Sequence, residues 1–151
     1  MPLKEQLSDD LKDAMRQGDA LRRTTIRFVL SAIHNDEIAR QKDLDEDGVI
    51  QVLTKQAQQR RDSIEAFQDA NRQDLADKEQ AELEIIAAYL PERMTEDEVR
   101  EVVRQVLSDS GSSGPQDMGK VMGRVMPKVR GKADGKMVST MVNEMLREMA
   151  E

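Results

Sequence analysis

Residues 83–107 read LEIIAAYLPERMTEDEVREVVRQVL, and this stretch decides the fold. Leu83, Ile86 and Leu90 recur at helical spacing, and Pro91 then removes a backbone donor and stops the helix. Four residues on, Thr95 stands three positions before Glu98, the spacing of a capping box that opens a new helix. That helix carries Val99, Val102, Val103, Val106 and Leu107 on one face. A stop and a start this close together predict two helical bodies joined at PERM. The expected fold is all-α, with a four-helix N-terminal lobe over 1–93 and a small three-helix C-terminal lobe over 94–151.

Working back from this junction, Leu3, Leu7, Leu11 and Met15 recur every fourth residue and predict a first helix ended by Gly18. Residues 20–40 carry a wider apolar arc (Leu21, Ile26, Phe28, Val29, Leu30 and Ile33), which predicts a central helix touching neighbours on more than one side. Asp45 or Asp47 caps a third helix to about Ala70, with Val49, Leu53, Ala57, Ile64 and Phe67 inward. The run NRQD breaks it, and a fourth helix carries Leu75, Leu83, Ile86 and Leu90 up to Pro91. Aromatic residues are 2% of the 151, and there is no Trp, so the core is expected to be aliphatic.

Beyond the fifth helix, SDSGSSGPQD is a loop. DMGKVMGRVMPKVRGKADGKMV (117–138) then predicts a sixth helix over about 117–126, ending or kinking near Pro127, and a seventh capped by Asp134. On a wheel of 100° per residue, Met118, Val121, Met122, Val125 and Met126 fill one arc. Gly119 and Gly123 lie together on its flank, and Lys120 and Arg124 on the far side. Each internal glycine costs about 1 kcal/mol against alanine, so the pair needs a reason. Close helix packing is one, and approach of a phosphate backbone to the bare strip is the other. Lys120, Arg124, Lys128, Arg130, Lys132 and Lys136 against Asp134 make residues 118–136 net +5 in a chain of net −7. Such segregation suits a polyanion partner, although a charge run also serves as a solvated face. RGKADGK reads as a turn whose N–H groups could bind an anion. Phe28, Phe67 and Tyr89 all precede this segment, so shape and phosphate contact, rather than base stacking, is the expected mode. The methionines at 118, 122, 126, 137, 141, 145 and 149 read as core filler, with an adaptable docking face as the alternative.

Chemistry has little to stand on. There is no cysteine, and the single histidine, His34, makes a zinc site improbable; no metal, cofactor or catalytic residue is expected. Arg60 projects within the apolar arc of the third helix, and Glu79 and Glu82 within that of the fourth. In an antiparallel hairpin Arg60 comes level with Glu82, with Glu79 one turn away, so a structural ion pair setting the register is expected. A general acid/base role for these carboxylates is the rival reading. The N-terminal MPLKEQLSDDLKDAM lacks a signal-peptide pattern and no apolar run spans a bilayer, so no membrane partner and a cytoplasmic location are expected.

LKEQLSDDLKDAMRQGDALRRTTIRFVLSAIHNDEI, RRDSIEAFQDANRQDLADKEQAELEIIAAYLPERMTEDE and DMGKVMGRVMPKVRGKADGKMV together resemble the GatB/YqeY family over essentially the whole chain. The last also resembles the C-terminal tail of GatB, a subunit of the tRNA-dependent amidotransferase. The resemblance implies two helical parts and a tRNA-recognition appendage. Gly119, Lys120, Gly123, Lys128, Gly131, Lys132 and Ala133 match the motif. It implies an accessory tRNA-binding factor, or a component of a glutamine-dependent carbon–nitrogen ligase that is inactive alone. The kinase-like cradle of GatB and the serine–lysine amidase centre of its partner subunit have no counterpart here. A protein adaptor without RNA binding is the competing expectation, its partner being an amidotransferase subunit or another protein.

Overall fold

The computed structural model describes residues 1–151 and is all-α. Its helices are α1 (Leu3–Gln17), α2 (Ala20–Arg40), α3 (Glu46–Asp69), α4 (Gln73–Ala87), α5 (Glu96–Ser110), α6 (Met118–Val129) and α7 (Gly135–Ala150), with a 3₁₀ turn at Pro115–Asp117. The chain divides into two compact units, Met1–Pro91 with α1–α4 and Glu92–Glu151 with α5–α7.

Local chemistry sets the helix ends. Gly18 closes α1 in the left-handed conformation, at φ 68°, where a side chain would be strained. The Asp45 carboxylate accepts from the Gly48 N–H at 2.8 Å and caps α3. In NRQD, Asn71 takes φ 57° and reverses the chain so that α4 returns along α3. Thr95 and Glu98 form the reciprocal capping box of α5.

In the first unit Leu7, Ile26, Val29, Ile33, Val49, Leu53 and Ile86 are almost completely buried against one another. Each such side chain contributes about 1.5–3 kcal/mol relative to exposure. Three ties brace this core. The Tyr89 hydroxyl donates to Asp10, linking the segment after α4 to α1. Arg22 donates to Asp13 at 2.9 Å. Buried Glu37 accepts from Lys4 Nζ and from the Leu44 N–H, each at 2.9 Å, fixing the α2–α3 connection against α1.

Three expectations change. α2 touches α1, α3 and α4 as expected, but its apolar arc is wider than the core it meets: Ile26, Val29, Ile33 and the partly buried Leu30 pack inward, whereas Phe28 is 53% and Leu21 39% exposed. The fourth helix ends at Ala87, and residues 88–90 form turns before Pro91. Finally, α6 passes through Pro127 to Val129. Val129 is fully buried, and continuing the helical spacing of Val121 and Val125 for one more step outweighs the lost Pro127 donor.

Candidate functional site

The second unit is built on valine. Val99, Val103 and Val106 of α5, Val121, Val125 and Val129 of α6, and Val138, Val142 and Leu146 of α7 form its buried centre. Met118, Met122, Met126, Met137 and Met145 pack around it, so most of the methionines serve as flexible filler. Met149 is the exception, at 44% exposure.

With its valines inward, α6 must turn the rest of its surface outward. Gly119 and Gly123 are exposed, and a Cβ built on either meets no atom within 4 Å. Close packing against another helix of this chain is therefore not why they are glycines. Pro127 continues their row, one further turn along. Beside it run Lys120, Arg124 and Lys128, all exposed and four residues apart, about 6 Å per step along the axis. None lies within 4 Å of a carboxylate. Lys120 Nζ donates instead to the Ser110 carbonyl at 3.1 Å, where the exposed carbonyls of the α5 C-terminus favour a cation. No sequence pattern pointed to Ser110, since the contact joins residues across the loop.

Arg130 and Lys132 follow in the turn after α6, both exposed. Between them Gly131 sits at φ 77°, the left-handed conformation that lets the chain reverse toward α7. The Met94 N–H donates to the Lys132 carbonyl at 2.8 Å and anchors the reversal to the start of the unit. Several N–H groups of RGKADGK, which could have faced an anion, are bonded within the turn. Those of Lys132 and Ala133 both donate to the Val129 carbonyl, and Asp134 takes the Lys136 N–H at 3.1 Å as the cap of α7. Lys136 itself lines a different recess, with Glu96, Arg100, Asp134, Thr140 and Glu144, so acidic neighbours partly offset it. Five cations therefore follow α6 and its turn, and the sixth stands apart.

In the first unit Arg60 is 8% exposed and its Nε lies 3.8 Å from a Glu82 carboxylate oxygen. That is an ion pair but too long for a hydrogen bond. The closest partner is on its own helix, where Nη1 donates to Gln56 Oε1 at 2.6 Å; from α2, the Phe28 ring lies under the guanidinium with its centroid 4.8 Å away. Gln56 was legible as an i, i+4 neighbour of Arg60; Phe28 was not, because α2 enters from elsewhere in sequence. Burial, then the charge of Glu82, raises the Glu79 carboxyl above its usual range, and Arg60 pulls in the opposite direction. No group of three or more His, Asp or Glu side chains converges as metal donors.

A sequence model of the Yqey-like protein family matches residues 4–146. Among curated proteins the chain is 45% identical over 112 residues to "Altered inheritance of mitochondria protein 41, mitochondrial" of Lachancea thermotolerans, covering 72% of this chain and 60% of that one. It is 46% identical over 113 residues to the protein of the same name in Kluyveromyces lactis, with the same coverage. The chain thus spans about 60% of the length of these relatives. Their names place them in mitochondria, which overturns the cytoplasmic expectation: lacking a secretory signal pattern and a bilayer-spanning run does not fix a compartment. No helix is long and apolar enough to cross a membrane. By the extent of the family match, the chain belongs to the Yqey-like protein family.

Proposed function

We propose that the protein is an RNA-binding accessory factor that holds the sugar-phosphate backbone of tRNA, or of another structured RNA, against α6. One observation carries this reading. Gly119 and Gly123 form an open, side-chain-free strip beside Lys120, Arg124 and Lys128, whose charges have no acidic partner. A phosphate backbone can approach such a strip more closely than a protein side chain would permit, and cations a turn apart can each take a phosphate. Arg130 and Lys132 prolong the track. Residues 118–136 are net +5. The whole of Glu92–Glu151 has ten basic and eleven acidic residues, net −1, so positive charge is concentrated on this segment rather than spread over the unit. The likeness of this segment to the GatB tail makes tRNA the first RNA to test and an amidotransferase complex the first assembly to examine.

The test is a gel shift with tRNA, comparing the wild-type chain with Lys120, Arg124, Lys128 and Lys132 changed together to Ala. All four are exposed, so the fold should be retained. Loss of most of the shifted complex is expected. Equal retention of tRNA by the two proteins refutes the reading and leaves the protein-adaptor function in its place.

A further inference from the structure

We propose that the groove between α2 and α3 is a docking site for an acidic amphipathic helix of a protein partner. The groove has a volume of about 750 Å³ and extends along α2 from Thr24 to Arg40. Sixteen residue steps of α-helix are about 24 Å, longer than a compact small molecule and suited to a helix of four turns. Its apolar side is Phe28, Ala32, Ala39 and Val52. Phe28 is 53% exposed although it is the largest side chain on that face, and Arg60 stacked at 4.8 Å holds the ring in place. An aromatic ring fixed in advance contacts a partner at little entropic cost.

Charge selects the occupant. Met1–Pro91 has thirteen basic and nineteen acidic residues, net −6. The groove reverses that balance, with Arg27, Arg40 and Lys55 against Asp36 alone. Asp36 is already paired with Arg40 at 3.2 Å, whereas neither Arg27 nor Lys55 has a carboxylate within 4 Å. Arg27, which donates only to Met15 Sδ at 3.7 Å, and Lys55 are thus two cations without an acidic partner; beside an apolar ridge they complement a helix with Leu or Phe at i, i+3/i+4 and Asp or Glu on its flank. A nucleic-acid strand is the poorer fit, because the acidic remainder of the unit repels a polyanion wherever it leaves the groove.

The test pans a displayed library of 16-residue helical peptides against the full chain and measures the enriched peptides on variants. Enrichment of acidic amphipathic peptides is expected. Their binding should weaken about tenfold or more on Phe28→Gln, and also on Arg27→Glu with Lys55→Glu. It should survive the fourfold α6 variant, which separates this site from the cationic track above. The altered residues are exposed, and an unchanged circular-dichroism melt establishes that each variant is folded. Enriched peptides without net negative charge, or binding indifferent to the groove variants, overturn the proposal. Loss on the α6 variant assigns the peptides to that track and overturns it equally. Groove-dependent binding of single-stranded RNA in place of acidic peptides, or a concentration-dependent dimer lost on Phe28→Gln, overturns it in favour of RNA or a second copy.

Discussion

At the scale of single residues, Gly119 and Gly123 carry opposed consequences. Neither is kept by local geometry, since both lie inside α6 at ordinary helical positions with open space where a Cβ would stand. Alanine at both therefore stabilises the helix, by up to about 1 kcal/mol per site. If the strip exists for close approach of RNA, the same change weakens RNA binding while it raises the melting temperature. Thermal melts and tRNA binding measured on one Gly119→Ala/Gly123→Ala protein check both halves. Higher stability with unchanged binding would show that the bare strip has no part in recognition. The glycines and cations were readable in the sequence because they lie within one helix, where spacing fixes the face. Their freedom from neighbours was not readable, since it depends on where α5 and α7 run.

At the scale of elements, two carboxylates of the first unit oppose each other in acid. The hydrogen bond from Lys4, followed by that from the Leu44 N–H, lowers the Glu37 carboxyl below its usual range. Its contribution is complete above its unfolded value and is lost as the pH falls through the lower folded value. Glu79 is raised, chiefly by burial, so it favours the fold only where it is protonated and that contribution is lost as the pH rises through its folded value. Urea midpoints between pH 3 and 7 should therefore fall less steeply toward acid in Glu37→Gln than in wild type, and more steeply in Glu79→Gln. The α3–α4 hairpin gives a further test. Arg60→Met leaves Glu82 facing a poorly solvated surface and is expected to cost about 3 kcal/mol or more. A double-mutant cycle with Glu82→Gln should return a favourable coupling. Zero coupling would mean that Gln56 and Phe28 hold Arg60 and that the 3.8 Å approach to Glu82 is incidental. The hairpin itself was legible, because a charged residue inside each apolar arc and a turn at Asn71 set the register. Helix ends governed by side-chain caps were legible too, at Asp45, Thr95 and Asp134. Where burial overrides local preference the sequence misleads: α6 continues through Pro127 because Val129 completes the core.

At the scale of the whole molecule, an all-α chain of net −7 carries two local reversals of sign, one on α6 and its turn and one in the α2–α3 groove. The first is continuous in sequence and could be found by counting charges. The second draws Arg27, Arg40 and Lys55 from two helices, and Phe28 looked like core; only the packing of α2 reveals that its apolar arc is wider than what covers it. The cationic track makes the strongest claim, because its residues lack acidic partners in a unit that has eleven acidic side chains. The measurement that tests it most directly is the salt dependence of tRNA affinity. The logarithm of the association constant should fall linearly with the logarithm of salt concentration. Changing Lys120, Arg124, Lys128 and Lys132 to Ala should reduce that slope by about one for each phosphate that these four side chains neutralise. An identical slope and affinity in the two proteins would contradict the assignment of RNA binding to α6.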